Sequence, residues 1–178
     1  MYNRLFLSFL FLFLLASCRQ NSDSLFQALS SSETGITFAN HLEKKPHFNI
    51  LYYLYYYNGG GVATGDINND GLPDIYFTAN RKGGNKLYLN KGDFTFEDIT
   101  ETAGVAGTAD WCSGVTMADV NGDGLLDIYV SAVSGVYDLK GHNLLYINKG
   151  NNRFEESATA YGLNFSGMST QAAFFDYD

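Results

Sequence analysis

The sequence twice contains the pattern D-x-N-x-D-G-x-x-D, as Asp66-Ile67-Asn68-Asn69-Asp70-Gly71-Leu72-Pro73-Asp74 and as Asp119-Val120-Asn121-Gly122-Asp123-Gly124-Leu125-Leu126-Asp127. Calcium takes about six to eight hard oxygen ligands, and alternate positions of a tightly turned loop direct oxygens inward. Glycine at the sixth position permits the sharp bend that such a loop needs. The pattern therefore predicts two calcium-binding loops.

The expected ligands are the side chains at positions 1, 3, 5 and 9 of each loop and the carbonyl oxygen at position 7. They are Asp66, Asn68, Asp70, Leu72 and Asp74 in the first loop and Asp119, Asn121, Asp123, Leu125 and Asp127 in the second. A third loop is expected to start at Asp176 and to continue at Asp178. Magnesium fits less well because it demands octahedral geometry, and softer metals favour His or Cys, which neither loop contains. The alternative is a pair of acidic turns held by their own Asx hydrogen bonds, without metal.

The residues after each loop distinguish it from a helix–loop–helix calcium site. In such a site the twelfth position carries an acidic ligand, whereas here that position holds Phe77 or Val130. The stretches 75–78 and 128–131 are rich in β-branched and aromatic residues, which favours strands. Each loop is therefore expected to join one strand to another.

A repeat surrounds the two loops. A six-residue phrase that starts at Gly61 recurs at Gly114 and again at Gln171, with offsets of 53 and 57 residues. Each unit contains several short apolar stretches separated by Gly, Asn and Asp, which predicts one four-stranded antiparallel sheet per repeat. Helical solenoids are excluded because the apolar stretches lack helical periodicity. The predicted fold is all-β: about two β-propeller blades and the start of a third, an incomplete propeller that belongs to a longer protein, since closure takes about four to eight blades.

These units resemble FG-GAP and VCBS-type repeats, the calcium-loop blades of integrin-α-like β-propellers, although the literal Phe-Gly-Gly-Ala-Pro string is missing. The phrase from Tyr57 to Asp66, together with the N-terminal segment described next, is more specifically similar to bacterial surface lipoproteins of the cartilage acidic protein and ASPIC/UnbV group. The resemblance runs from about Thr34 to the end of the sequence. It implies a propeller of the seven-bladed type whose loops hold calcium and which serves in adhesion or ligand binding.

The N-terminal segment has the features of an export signal. Arg4 precedes an apolar run from Leu5 to Leu15, which is shorter than the ~20 residues of a membrane-spanning helix. The end of the run, Leu15-Ala16-Ser17-Cys18, resembles the lipobox of bacterial lipoproteins, whose cysteine is lipidated; plain secretory cleavage is the alternative. We predict a signal peptide over 1–17, a polar tether over 18–33 and repeats over 34–178. The predicted location is the bacterial cell envelope, with a lipid anchor at the outer membrane or cell surface.

Composition narrows the class of partner. The chain is 46% hydrophobic and 17% charged, which excludes a disordered polypeptide. Its 19 acidic and 11 basic residues give a net charge of −8, so nucleic acid is not an expected partner. Cys112 is expected to be a small buried residue rather than a nucleophile, because no histidine lies near it in sequence to activate it.

The expected function is binding of a protein or glycan ligand, with no catalysis of its own. The cluster from Tyr52 to Tyr57 could stack on sugar rings, but the preferred interpretation is a strand whose alternate rings fill the core. The alternative function is an accessory or scaffold part of an extracellular hydrolase or lyase acting on polysaccharide or lipid. Asp110 and Asp138 are the isolated carboxylates available to such an enzyme, and the sequence contains no serine-nucleophile elbow.

Overall fold

The computed structural model describes residues 25–175 and residue 177. The predicted signal peptide, the predicted lipidation site Cys18, part of the predicted tether, and Asp176 and Asp178 of the predicted third loop lie outside the described residues. Within those that are described, no helix has the length and apolar character needed to cross a bilayer.

The described chain is built from eight strands in two sheets. They are β1 (Val62–Gly65), β2 (Asp74–Phe77), β3 (Lys86–Asn90), β4 (Phe96–Asp98), β5 (Cys112–Ala118), β6 (Asp127–Ala132), β7 (Leu144–Asn148) and β8 (Phe154–Glu156). Each sheet is a four-stranded antiparallel meander in sequence order, β1-β2-β3-β4 and β5-β6-β7-β8. The prediction of one four-stranded sheet per repeat is confirmed. The helices of this part of the chain are single turns, α1 (Ser31–Thr34) and α2 (Thr100–Ala103).

The two sheets, hereafter the first and second blade, share an apolar core. Tyr76 and Leu87 of the first blade lie in one buried cluster with Ile128, Leu144 and Tyr146 of the second. Burying such side chains stabilises the folded state by about 1.5–3 kcal/mol each. Cys112 lies in the same cluster and is fully buried, which raises the pKa of its thiol to about 11. The expectation that this cysteine is a core residue is confirmed.

The two blades also repeat a buried polar motif behind the core. In the first blade, Asn85 donates to the hydroxyl of Tyr76, which in turn donates to the Val105 carbonyl. In the second, Asn143 donates to the hydroxyl of Tyr129, at 3.0 Å in both cases. Each asparagine also accepts a backbone N–H near the end of the second strand of its blade, from Ala79 just beyond β2 or from Ala132 at the end of β6, at 2.8 Å. The same residue types thus satisfy the same buried groups, which confirms the register of the repeat.

The tyrosine-rich segment is not a strand, so the strand interpretation was wrong. Residues 49–58 form successive turns, in which the Tyr53 N–H donates to the Asn49 carbonyl and the Tyr56 N–H to that of Tyr53. Tyr53 and Tyr56 are buried against Phe48 and Trp111, whose ring centroids lie 4.8 Å apart. The neighbouring rings of Tyr52, Tyr55 and Tyr57 remain exposed. The segment therefore presents aromatic rings to solvent as well as to a core.

Candidate metal centre

Each predicted loop connects the first two strands of its blade. Antiparallel pairing places Gly65 opposite Asp74 and Ala118 opposite Asp127, so the ninth loop residue is also the first residue of the next strand. The backbone leaves β1 and re-enters β2 without any intervening helix. This strand-to-strand connection was predicted and is confirmed. The loop residues between the strands must therefore satisfy their own backbone N–H groups.

The aspartate at position 1 of each loop accepts hydrogen bonds from the loop backbone. The two carboxylate oxygens of Asp66 accept the N–H groups of Asp70 at 3.1 Å and of Gly71 at 2.7 Å. Asp119 does the same with Asp123 at 3.1 Å and Gly124 at 2.8 Å. The hydrogen bond from Gly124 is the main reason that the pKa of Asp119 lies below its usual value. This carboxylate therefore stays ionised, and its hydrogen bonds to the backbone hold the loop in its turned conformation.

The side chains at positions 3 and 5 of each loop pair with one another. In the first loop, Asn68 Nδ2 donates to Asp70 Oδ2 at 3.0 Å, while Asn68 Oδ1 accepts the Asp70 N–H. In the second, Asn121 Nδ2 donates to Asp123 Oδ2 at 2.9 Å with the same return bond. The positive end of an amide N–H thus faces the carboxylate at position 5.

The aspartate at position 9 is the buried member of each loop. Asp127 is 1% exposed, and its two oxygens accept the N–H of Val120 at 3.0 Å and of Asn148 at 2.8 Å. Asp74 is fully buried and accepts the corresponding N–H groups of Ile67 and Asn90 at the same distances. Burial raises the pKa of both carboxyls, and the negative charges at positions 1 and 5 raise it further. The carboxylates at positions 1 and 5 of each loop therefore repel the buried carboxylate at position 9.

Glycine is required at position 6. Gly71 and Gly124 have φ angles of 87° and 84°, in the left-handed region that residues with a Cβ rarely adopt. Position 4 also has positive φ and is occupied by Asn69 in one loop and Gly122 in the other, two residue types that tolerate this conformation. The prediction of a sharp bend at position 6 is confirmed.

The donor set fits a hard divalent cation in its chemistry. All five predicted groups of each loop offer oxygen, and a carboxylate oxygen that accepts one N–H still has a second lone pair. Among the described residues, the carbonyls of Leu72 and Leu125 at position 7 accept no hydrogen bond. As the side chains stand, however, no group of three or more His, Cys, Asp or Glu residues in the described chain converges into a metal-binding cluster. Their oxygens instead face the N–H groups of the loop.

Asn148 ties the two loops together, and sequence reasoning did not identify this role. Its Nδ2 donates to the carbonyl of Ile67 in the first loop at 2.8 Å and to that of Leu126 in the second at 3.1 Å. The side-chain amide of the equivalent Asn90 donates only to the Pro73 carbonyl in its own blade. The repeated Asn-Lys-Gly sequence at 90–92 and 148–150 was the available signal, but it gives no indication of a bond across 81 residues. A second link, from Asn69 Nδ2 to the Gly124 carbonyl, is 3.1 Å long.

The isolated carboxylates considered for catalysis lie away from the loops in sequence. Asp110 accepts the N–H of Lys140 at 2.9 Å, while the Asp110 N–H donates to the Lys140 carbonyl, so this carboxylate fastens two backbone segments. Asp138 is exposed and sits at a positive φ of 58°, as expected of a turn residue. Neither aspartate is paired with a second carboxylate among the described hydrogen bonds.

The loops and strands at the centre of this architecture match a known family. Residues 66–130, from the first residue of the first loop to the fourth residue of β6, match the family model described as FG-GAP-like repeat. Residues 66–130 are an FG-GAP-like repeat. The resemblance inferred from the loop pattern is thereby confirmed.

The chain is also similar to curated animal proteins. It is 38% identical over 125 residues to cartilage acidic protein 1 of Xenopus tropicalis, a match that covers 69% of this chain and 18% of that protein. It is 39% identical over 84 residues to cartilage acidic protein 1 of Homo sapiens, covering 47% of this chain and 13% of the human protein. The matched region is thus less than a fifth of the length of these relatives.

Proposed function

We propose that this chain is a calcium-stabilised, lipid-anchored propeller segment that binds a protein or glycan ligand at a bacterial cell surface. The observation that carries the proposal is the duplicated loop, in which the same oxygen-bearing groups recur at the same positions and the carboxylates at positions 1 and 5 repel the buried carboxylate at position 9. Bound calcium would neutralise that repulsion. It would also hold the turns in place of an internal disulfide, because lipidation of Cys18 would leave one free cysteine in this sequence. Binding is favoured over catalysis because Asp110 serves to fasten the backbone.

Calcium removal is the test of the metal component. Binding to the folded state alone adds about 2.7 kcal/mol per site at a hundredfold excess of calcium over its Kd. For a chain of this size we expect a chelator to lower Tm by roughly 5–10 °C per site. The Asp70→Ala and Asp123→Ala variants should each lose part of the chelator-sensitive shift, and the double variant should lose all of it. Thermal unfolding of the full chain by circular dichroism, in calcium and in EDTA, measures these shifts.

The matched control removes an exposed carboxylate outside the loops. Glu101 lies in α2 and is solvent-exposed, so Glu101→Ala should retain the full calcium shift. Magnesium at an equal concentration should restore only a small part of the Tm increase that calcium produces. A melting curve of the unmodified chain that is identical in calcium and in EDTA would show that the loops are metal-free acidic turns.

The lipid anchor is tested separately at Cys18. In cells that process lipoproteins, the full-length protein should fractionate with membranes and incorporate labelled palmitate. Cys18→Ser removes the sulfur that carries the lipid and should move the protein to the soluble fraction, whereas Ser17→Ala should not. Membrane retention of Cys18→Ser with no label in the unmodified protein would contradict the lipidation proposal.

A further inference from the structure

A cavity of about 440 Å³ opens where the first strand of each blade begins. Its wall includes residues 59–61, which lead into β1, whereas the metal loop follows β1 at its other end. Trp111, Ser113 and Gly114 contribute the equivalent wall of the second blade, and Thr170 and Gln171 contribute the start of the third repeat. The cavity therefore lies at the end of the blades opposite the candidate metal loops, and all three repeats meet at it.

The lining of this cavity carries no charged side chain, in a chain whose net charge is −8. Its polar groups are instead amides and hydroxyls. The side-chain amide of Asn58, the hydroxyl of Thr170 and the Oε1 of Gln171 make no hydrogen bond with any described residue. Neutral groups of this kind can donate to and accept from hydroxyls without selecting for a charge.

An aromatic ring lies beside these free polar groups. Tyr55 is 56% exposed and lines the cavity, and Tyr53 packs behind it with ring centroids 5.7 Å apart. Tyr53 is itself buried against Trp111, which keeps the supporting layer in place. An exposed ring on a fixed support provides an apolar face, while its phenol offers a polar edge. The cavity thus combines a stacking surface with uncharged hydrogen-bonding groups.

We propose that this cavity binds a neutral saccharide of one or two rings. The faces of such sugars present C–H groups that pack on an aromatic ring, and their hydroxyls match the free amide and hydroxyl groups. Its volume lies within the range of about 300–1,000 Å³ that is usual for small-molecule sites. An anionic sugar would meet no cation in the wall. This inference names the ligand class for the binding role in the proposed function and rests on that role.

Trp111 provides a direct measurement of binding. It is the single tryptophan of the chain and lines the cavity, so its fluorescence reports on this site. Titration of the full chain with cellobiose or lactose should change the emission in a saturable way. Tyr55→Ala and Asn58→Ala should each weaken the apparent affinity by tenfold or more. The matched control is Tyr52→Ala, which removes an exposed ring of the same segment outside the cavity and should leave affinity unchanged.

Several results would overturn the saccharide site. They are the absence of any saturable change with either disaccharide, equal or tighter binding of digalacturonate, and an equal loss of affinity in Tyr52→Ala. Saturable binding of a neutral tripeptide such as Ala-Ser-Ala, with no response to the disaccharides, would assign the cavity to peptides instead. Circular dichroism melting establishes that each variant is folded. We expect Tyr55→Ala and Asn58→Ala to fold, because both side chains are exposed.

The same preparation separates this inference from the proposed function. A calcium-dependent Tm together with no saccharide response would remove the saccharide site alone. A saccharide response with no effect of EDTA on Tm would support the saccharide site and remove the calcium component of the proposed function. Loss of both would overturn the two proposals together.

Discussion

Asp127→Ala is expected to lower the free energy of unfolding by about 2–6 kcal/mol, even in the absence of calcium. The Asp127 carboxylate is buried and accepts the N–H groups of Val120 and Asn148. Alanine leaves both donors without a partner, and each such group costs about 1–3 kcal/mol. Urea denaturation of the full chain in EDTA measures the loss free of any metal contribution.

Asp123→Ala is the matched control for this experiment. Asp123 is exposed and its hydrogen bonds stay within the loop, so its replacement should have little effect in EDTA and a clear effect in calcium. The stability of Asp127→Asn in EDTA should lie between those of the two alanine variants. Its amide keeps one acceptor oxygen but turns an N–H donor towards a backbone N–H group. If Asp127→Ala and Asp123→Ala were equally stable in EDTA, the buried carboxylate would have no structural role independent of metal.

The Asn148→Ala variant should be destabilised by about 2–5 kcal/mol and should loosen a loop in the other blade. Asn148 is 2% exposed, and its removal deprives the carbonyls of Ile67 and Leu126 and the Gly150 N–H of their partners. Unsatisfied buried groups are costly because water cannot replace the missing partner. Hydrogen exchange should therefore accelerate at the amides of residues 66–71, alongside the stability loss measured by urea denaturation.

Asn90→Ala provides the comparison within the same fold. Asn90 is partly exposed, and its Nδ2 bonds only to Pro73 in its own blade. Its replacement should cost less stability than that of Asn148, and it should leave exchange in residues 119–124 unchanged. The link between the blades would contribute nothing to stability if two results were found together. These are equal stability losses in the two variants and unchanged exchange in the first loop of Asn148→Ala.

The sequence was sufficient to predict the local architecture of the loops. Local residue chemistry was enough to locate the two loops, the bends at Gly71 and Gly124, and the strands on either side of each loop. The structure has all of them as predicted. What the pattern could not show is that Asp74 and Asp127 are buried acceptors for strand β3 or β7. That role depends on pairing with a strand that lies further along the chain, which a nine-residue pattern does not encode.

The tyrosine-rich segment shows a different limit. Its rings were assigned to alternate faces of a strand because β-structure has a period of two. The structure has turns there, and turns bring residues three apart, Tyr53 and Tyr56, to the same buried cluster with Trp111. A short run of one aromatic type is compatible with either spacing, so the distinction depends on the distant residue against which the rings pack.

The bond between Asn148 and Ile67 has a consequence for biosynthesis. It joins positions 81 residues apart, so the first loop leaves the ribosome well before its partner is made. At about 5–20 residues per second, the interval is roughly 4–16 s. The earlier loop therefore emerges before the amide that it bonds in the folded protein, and its final contacts form only after the later unit has been made.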